Sequence, residues 1–213
     1  PALAKGYNDI STTYVRDHYQ LLSDSTLQSM EAEAKSLSDT YKCDVYLTIV
    51  DDIGTYTVRQ YAEAYWNAYD LGRGANKDGI MFLIAVDSRD YVTITHGQGT
   101  TGGITIFTDY RIEQIEDAIV EELKGNNWVA GCNVYLDKVT ETFEFYTENG
   151  EPEIQGVDPD DVGTVTRSDG TKQLTLKGAD DTRPAAFIKE SKQGEQTPEP
   201  GAACTGGVGE PNG

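Results

Sequence analysis

The side chains best suited to chemistry in this sequence are carboxylates that lie close to glycine. Asp78 directly precedes Gly79, Asp109 stands where a helix is predicted to begin, and Asp17 lies near the amino terminus. Carboxylates that converge repel each other unless a cation or protons neutralise them. Calcium and magnesium take oxygen ligands from carboxylates, carbonyls and water. We therefore predict that Asp17, Asp78 and Asp109 bind Ca²⁺ or Mg²⁺, helped by the backbone of Gly79 or Gly97.

Each of these acids also has a simpler interpretation. Asp109 could be a charge at a helix N-terminus, which stabilises a helix by about 0.3–1 kcal/mol. Asp78 and Gly79 could form an ordinary turn. Three further acids follow predicted strands, and for them plain turns are favoured over a second metal site. They are Asp51, Asp52 and Asp87.

Histidine and cysteine offer little catalytic chemistry here. His96 is more typical of a strand end than of a general base, and His18 has no partner that the sequence reveals. The three cysteines, at positions 43, 132 and 204, show no CxxC spacing, which excludes zinc and redox motifs. A disulfide between Cys43 and Cys132 remains open if the protein lies outside the cytoplasm.

Phosphate-ester hydrolysis is the enzymatic alternative. The sequence has no cysteine followed six residues later by arginine, and no Asp-x-Asp pair after a strand. Cysteine-, aspartate- and histidine-based phosphatase mechanisms therefore lack their parts. A metal-assisted mechanism remains, in which a bound cation activates water and Arg73 or Arg89 holds the phosphate.

The stretch Gly97–Gly102 matches the GxGxxG pattern of dinucleotide sites. Such a site needs the pattern at the first strand-to-helix turn, with an acidic residue about 20 residues later. Here the pattern follows the second arm of a predicted hairpin, and residues 104–107 intervene before the next helix. We therefore expect no dinucleotide. The candidate contacts to a bound cation or phosphate are Arg73, Gly79, Gly97 and Gly99.

Hydrophobic periodicity predicts four helices and three strands around these residues. Residues 45–50 and 80–86 are apolar on both faces, as in strands that are covered on both sides, whereas residues 91–95 alternate. The first two strands are joined by a helical crossover and should be parallel, and the short turn after the second makes an antiparallel hairpin. The predicted fold class is α/β, with a mixed β-sheet sandwiched between α-helices. The predicted helices begin near Ser23, Thr57, Thr108 and Trp128.

This topology predicts which residues share an edge of the sheet. We call the edge where the parallel strands end the carboxyl edge, and the edge where they begin the amino edge. The acids at 51, 52 and 87 should lie at the carboxyl edge, and Asp78, Gly97, Gly99 and Asp109 at the amino edge. Asp17 stays undecided, because the six residues to position 23 can span about 20 Å and reach either edge.

The composition excludes one class of partner. The net charge of −19, from 36 acidic and 17 basic residues, argues against nucleic-acid binding, which needs clustered lysine and arginine. An acidic surface instead attracts cations or basic partners. No apolar run approaches the roughly 18 residues of a membrane span, and no signal peptide is visible.

The composition also divides the chain. Residues 149–213 are rich in proline, glycine and acids, which predicts a flexible, linker-like acidic tail with a short hairpin near residues 164–176. Residues 1–14 are predicted to be a polar lead-in. The compact domain is therefore predicted to span residues 15–148.

Several segments, in this order and at these spacings, resemble the TPM family. They are Val15-Arg16-Asp17 with Leu21-Leu22-Ser23, Gly72-Arg73-Gly74 with Lys77-Asp78-Gly79, Asp87-Ser88-Arg89, Gly97-Gln98-Gly99, and Thr108-Asp109. Together they cover nearly all of the domain. The chain departs from the family pattern at Lys77, where another Asp or Asn is usual, and after Gly99, where an acidic-leucine pattern is usual.

The resemblance implies a Rossmann-like fold in a protein of the cell envelope or the thylakoid lumen. Bacterial TPM domains are commonly tethered by a transmembrane helix, which we expect to lie outside this sequence. Some members are described as binding calcium, and plant members as acid phosphatases linked to photosystem repair. Because a fold does not fix an activity, three functions are expected: a calcium-binding, membrane-tethered module that docks envelope proteins, a metal-dependent acid phosphatase, or a metal-free assembly and repair module.

Overall fold

Two adjacent strands form the buried centre of the molecule. The computed structural model describes residues 12–153, 162–166 and 172–176, and in it every residue of β2 (Asp44–Val50) and of β3 (Gly79–Ala85) is buried. Continuous apolar sequences are typical of strands that are covered on both faces. The interpretation of these two runs as central strands is confirmed.

The main sheet has four strands in the order β1, β2, β3, β4, where β1 is Val15–Asp17 and β4 is Asp90–His96. The first three strands are parallel, and β4 pairs with β3 in the antiparallel direction. The predicted mixed sheet, with a parallel crossover followed by a hairpin, is therefore confirmed.

Within the described residues, five helices flank this sheet. They are α1 (Asp24–Tyr41), α2 (Val58–Ala68), α3 (Gly103–Ile106), α4 (Asp109–Lys124) and α5 (Trp128–Asn149). Successive side chains of a strand point to opposite faces. Leu47 and Phe82 therefore pack in the larger core with α1, α4 and α5, and Tyr46 and Met81 pack in the smaller core with α2. Helices cover both faces, which confirms the predicted sandwich.

Three helices begin at hydroxyl caps, at positions where the sequence predicts that helices start. The hydroxyls of Ser23, Thr57 and Thr108 each accept a hydrogen bond from the backbone N–H three residues later, at 3.3, 3.2 and 3.2 Å. The Gln60 side chain also accepts from the Thr57 amide at 3.1 Å and so completes a capping box. Such a cap typically stabilises a helix by about 1 kcal/mol.

Two short elements were not predicted. β1 has three residues and α3 has four, so neither is long enough to show a hydrophobic period. A side chain on α1 holds β1 in place, because the Glu31 carboxylate accepts hydrogen bonds from the amides of Thr13, Tyr14 and Val15 at 2.7, 2.8 and 2.7 Å. Glu31 is 16 residues away from Val15, and nothing in the local sequence indicates the contact.

A second, two-stranded sheet follows α5 in the chain. β5 (Val162–Thr166) pairs with β6 (Lys172–Leu176) in the antiparallel direction. The turn of the predicted hairpin, most of the predicted tail and residues 1–11 of the predicted lead-in lie outside the described residues.

Both described cysteines are free thiols. Cys43 and Cys132 are not bonded to each other, so the disulfide that the sequence left open is not formed, and both side chains are fully buried. The parts of the chain that the structure describes contain no helix with the combined length and apolarity needed to cross a bilayer.

Candidate functional site

Asp78 lies at the amino edge, directly before β3. Its backbone pairs with that of Arg73 in both directions, with N···O distances of 2.9 and 3.0 Å. The amide of Asp44, at the start of β2, donates to the Asp78 carbonyl over 3.0 Å. The backbone of Asp78 is therefore fixed on both sides, and only 7% of the residue is exposed.

The two carboxylate oxygens of Asp78 have different surroundings. Oδ2 accepts a hydrogen bond from the Thr101 hydroxyl at 2.8 Å. Oδ1 is buried and accepts no hydrogen bond from any residue that the structure describes. A carboxylate oxygen that is removed from water without a donor costs free energy. A cation, a proton or a water molecule at Oδ1 would offset that cost.

The glycine loop, Gly97–Gly103, packs against Asp78 and the start of β3. A Cβ on Gly97 would lie 2.1 Å from Asp78 Oδ1, and a Cβ on Gly103 would lie 2.0 Å from the Gly79 carbonyl oxygen. Gly97 also has a φ of +86°, which favours glycine. The absence of side chains therefore lets the loop backbone approach a buried carboxylate.

The other predicted glycine contacts differ in their surroundings. A Cβ on Gly79 would lie 2.7 Å from the Trp66 ring and 2.8 Å from the Asp44 carbonyl oxygen, so this glycine is needed for packing. A Cβ on Gly99 would meet no atom within 4 Å, so this glycine lies at an open part of the loop. Its φ of +96° explains why glycine stands there.

Two carboxylates bind the guanidinium of Arg73. Nε donates to Asp44 Oδ1 at 2.8 Å, and Nη2 donates to Asp39 Oδ1 at 2.9 Å. The hydrogen bond to Asp39 is the main cause that raises the pKa of Arg73. Hydrogen bonds from Lys35 and then from Arg73 lower the pKa of Asp39 to about 2. Arg73 therefore ties the end of α1 to the start of β2.

His96 lies at the same edge and ends β4. Its Nε2 is 2.8 Å from Glu63 Oε2, and its ring stacks on Trp66 with centroids 4.6 Å apart. Both partners belong to α2, so His96 anchors that helix to the sheet.

Asp109 is the first residue of α4 and is only 6% exposed. Glu116, in the middle of α4, accepts a hydrogen bond from the Thr93 amide at 2.9 Å. Leu123, near the end of α4, lies beside Tyr91 near the start of β4. The helix therefore runs opposite to β4, and its N-terminus points towards the amino edge, the side predicted for Asp109.

Asp17 lies at the other edge. It ends β1 and pairs with Ile49 near the end of β2, whereas Asp78 adjoins Asp44 at the start of β2. A strand rises about 3.3 Å per residue, so roughly 20 Å separates the two positions. The predicted convergence of Asp17, Asp78 and Asp109 is therefore wrong. Within the described residues, no group of three or more acidic, histidine or cysteine side chains is placed to hold a metal ion.

The acids that follow β2 and β3 lie at the carboxyl edge, as the topology predicts. Asp51 and Asp87 are exposed, and the Asp87 amide donates to the Asp51 carbonyl over 3.1 Å. Asp52 is exposed too, and its Oδ1 accepts a hydrogen bond from the Gly54 amide at 2.8 Å. These contacts are typical of turn residues.

Sequence reasoning missed a polar cluster beside Asp17. Tyr65 of α2 is 2% exposed, and its hydroxyl accepts from Arg16 Nε at 2.9 Å and lies 2.6 Å from His18 Nε2. The Arg16 guanidinium also lies over the ring of Tyr69, 4.4 Å from the centroid. Burial, and then the charge of Arg16, lower the pKa of His18. The partners are 47 or more residues apart, so no spacing motif could have revealed them.

Comparisons with known proteins agree with this architecture. Residues 15–142, more than half of the chain, match the family model described as TPM domain. The solution structure of the N-terminal domain of a P. gingivalis protein is similar, with 15% identity and a TM-score of 0.53 over 65% of this chain and 85% of that chain. The BA42 protein from the psychrophilic bacterium Bizionia argentinensis is similar, with 13% identity and a TM-score of 0.52 over 67% of this chain and 92% of that chain.

At these identities, the likeness to solved structures concerns the fold alone. No curated protein matches the sequence. The match to the family model nevertheless covers all four strands of the main sheet and most of the helices around them. The chain therefore belongs to the TPM-domain family.

Proposed function

We propose that this TPM domain binds a divalent cation at Asp78 and acts as a cation-dependent interaction module. The observation that carries the proposal is the Oδ1 atom of Asp78, which is buried and accepts no hydrogen bond from the described residues. Calcium accepts irregular coordination by carboxylate, carbonyl and water oxygens, whereas magnesium demands a nearly ideal octahedron. An irregular loop site therefore favours Ca²⁺ over Mg²⁺.

The residues at the amino edge fit a site with a single carboxylate. Asp78 supplies the charge, and the Thr101 hydroxyl and the loop backbone at Gly97 are the neighbouring polar groups. Asp44 is not available as a second ligand, because it binds Arg73. Water would complete the six to eight oxygens that calcium prefers.

A site with so little ligand charge should be weak. Calcium sites of extracellular modules have Kd values of about 10⁻⁴ to 10⁻³ M, and ligand charge is one of the factors that tune this value. Such a site fills where calcium is abundant, which is outside the cytoplasm. The proposal therefore includes a location at the cell envelope. The resemblance to other TPM domains adds a membrane anchor beyond the given sequence and envelope proteins as partners.

Calcium titration with thermal unfolding tests the site. At ten times Kd, binding to the folded state stabilises the protein by about 1.4 kcal/mol, which raises Tm by about 3–6 °C in a domain of this size. The Asp78→Asn variant should lose this shift. The Asp17→Asn variant is a matched control that should keep it, because Asp17 has the same kind of buried oxygen without a donor at the opposite edge.

Other outcomes of this titration separate the alternatives. A calcium shift that survives Asp78→Asn but disappears in Asp17→Asn would place the site at the carboxyl edge. A wild-type protein whose Tm does not change with calcium would favour the metal-free assembly module.

Phosphatase activity is the less supported alternative. Arg73 binds two carboxylates, and Arg89 bonds to Asn126 and to the Leu123 carbonyl. A phosphate would have to displace the two carboxylates from Arg73, and Arg89 lies at the opposite edge of the sheet from Asp78. Turnover of p-nitrophenyl phosphate that needs a divalent cation and is lost in Asp78→Asn would establish the activity. Turnover that persists in the presence of a chelator would exclude the metal-assisted mechanism.

A further inference from the structure

A surface cleft lies between the β3–β4 turn and the junction of α4 with α5. It is at the carboxyl edge, at the opposite end of β3 from Asp78. Its volume is about 180 Å³, and charged side chains stand at its rim. The apolar walls come from Ile84, Tyr91, Val120, Leu123 and Trp128.

Arg89 is held at the rim of this cleft by neutral partners. Its Nη1 donates to Asn126 Oδ1 at 3.1 Å, and its Nη2 donates to the Leu123 carbonyl at 3.4 Å. The guanidinium carbon lies 5.4 Å from the centroid of a Trp128 ring. No carboxylate of the described residues forms a salt bridge with Arg89, so its charge is available beside an apolar cavity.

The charges at the rim differ from those of the protein as a whole. The cleft is lined by two cations, Arg89 and Lys124, and by one acid, Asp90. Lys124 pairs with Glu121 at 2.8 Å, but both side chains are exposed, so solvent weakens that pair. In a chain of net charge −19, an arginine that forms no salt bridge with a described carboxylate offers an acidic group of a partner a site of opposite charge.

The backbone at the rim is unusual. Arg89 and Asn126 have φ values of +56° and +57° and are bonded to each other through their side chains. Residues other than glycine rarely adopt positive φ, and such outliers cluster at binding sites. Glycine would adopt the conformation at lower cost.

We propose that the cleft binds one aromatic side chain from an acidic segment of a partner protein, with a carboxylate of that segment pairing with Arg89. The cleft is smaller than the 300–1,000 Å³ that is typical of small-molecule pockets, but its volume suits one side chain. Tryptophan, tyrosine and arginine are the residue types most enriched at energetically dominant interface positions, and all three line the cleft.

Titration of ¹⁵N-labelled protein with short peptides tests the proposal. The probe is an acetylated, amidated pentapeptide with phenylalanine at its centre and two glutamates on each side. We expect saturable shifts of the Trp128 indole N–H and of the Val120 and Leu123 amides. Trp66 is the only other tryptophan and is 2% exposed, so its indole signal is an internal reference. Replacing the phenylalanine by alanine, or the glutamates by lysines, should each weaken binding by about tenfold or more.

Protein variants separate recognition from folding. Arg89→Gly removes the charge while the backbone conformation stays favourable, so it should fold normally and bind the probe about tenfold more weakly. Lys42→Gly is the matched control, because Lys42 is another cation at positive φ, +58°, but does not line the cleft. Arg89→Glu should bind the lysine-flanked peptide better than the glutamate-flanked one.

Several results would overturn the proposal. They are equal affinity for the phenylalanine and alanine peptides, equal affinity of Arg89→Gly and Lys42→Gly, and no shift with about 5 mM peptide. Tighter binding of phenylacetate than of the peptide would reassign the cleft to a small molecule. The titration is run in chelator and again in calcium, so the result does not depend on the cation site at Asp78.

Discussion

Each edge of the main sheet holds an aspartate in which only one of the two carboxylate oxygens accepts a hydrogen bond from the part of the chain that the structure describes. Asp78 Oδ2 accepts from the Thr101 hydroxyl, and Asp17 Oδ2 accepts from the Leu22 amide at 2.7 Å. Oδ1 of each is buried and accepts no hydrogen bond from the described residues. A buried carboxylate oxygen that lacks a hydrogen-bond donor in the described ranges therefore occurs at both ends of the sheet.

The neighbours of the two acids differ. At the amino edge, glycine backbone packs on Asp78, and the nearby cation Arg73 is bound to other carboxylates. At the carboxyl edge, Asp17 is less buried and lies near the Cys132 thiol, whose pKa is raised to about 12 by burial and then by the charge of Asp17. A buried oxygen without a donor among the described residues is common to both edges, and the close approach of glycine backbone to the carboxylate is found at the amino edge.

The largest expected effect is at the amino edge. Gly97→Ala places a methyl group on Asp78 Oδ1 at a positive φ, so we expect a loss of about 3–5 kcal/mol in the free energy of unfolding. Gly99→Ala has a similar φ but open space around the new methyl group, so it should cost about 1–2 kcal/mol. Denaturant unfolding measures both. Equal losses would show that Asp78 does not depend on the shape of the loop.

The second prediction concerns the start of β1, the strand that ends with Asp17. Glu31→Gln replaces one of the two carboxylate oxygens that bind the amides before and within β1, so we expect a loss of about 2–3 kcal/mol. Hydrogen exchange should quicken at Tyr14 and Val15 and stay unchanged in the glycine loop. Glu33→Gln on the same helix is the control, because burial and Asp137 raise the pKa of Glu33 and its charge does not stabilise the fold. An equal loss of unfolding free energy in Glu33→Gln would show that Glu31 has no special role in stabilising β1.

The third prediction uses pH to distinguish the edges. Burial, and then Arg16, lower the pKa of His18, while the charges of Asp17 and Asp51 oppose this shift. A histidine with a lowered folded pKa binds protons more readily when the chain is unfolded. Stability should therefore fall as pH drops below about 6.5, the unfolded pKa, towards the lowered folded value.

Replacement of the histidine tests this assignment. His18→Gln should flatten the dependence of the unfolding free energy on pH between about pH 7 and pH 5. If His96→Gln flattens the curve instead, the acid sensitivity belongs to the amino edge.

The smallest expected effect comes from Asp39 at the amino edge. Its folded pKa of about 2 lies below its unfolded value of about 4, so the stability it contributes is present above pH 4 and is lost as pH falls towards 2. The effect should be small, because the group is exposed and solvent screens its ion pairs. Carbon-13 NMR titration of the carboxyl group measures the pKa directly. Arg73→Gln should raise that pKa, and an unchanged value would leave Lys35 as its only important partner.

The parts of the fold that could be predicted are indicated by residues that lie close together in the sequence. The runs at residues 45–50 and 80–86 are apolar on both faces, and a strand that is buried on both sides needs such a run. Ser23, Thr57 and Thr108 mark helix starts because a cap is a contact over three residues. The register of a hairpin with a short turn follows from the turn itself.

The parts that were missed depend on contacts between distant segments. Glu31 binds the amides before and within the three-residue β1, and the parallel pairing of β1 with β2 places Asp17 at the carboxyl edge. The predicted metal site of Asp17, Asp78 and Asp109 was wrong because Asp17 lies at the opposite edge from Asp78. Tyr65 likewise joins Arg16 and His18 across almost 50 residues of chain.

The sequence alone determined the class of the fold, the order of its main elements and the family, because these follow from periodicity, caps and local motifs. Only the tertiary structure decided which acids share an edge, which arginine is already bound, and where glycine backbone meets a buried carboxylate. The physical reason is that electrostatic and packing contacts act through space. The spacing of residues along the chain limits their distance but does not specify it.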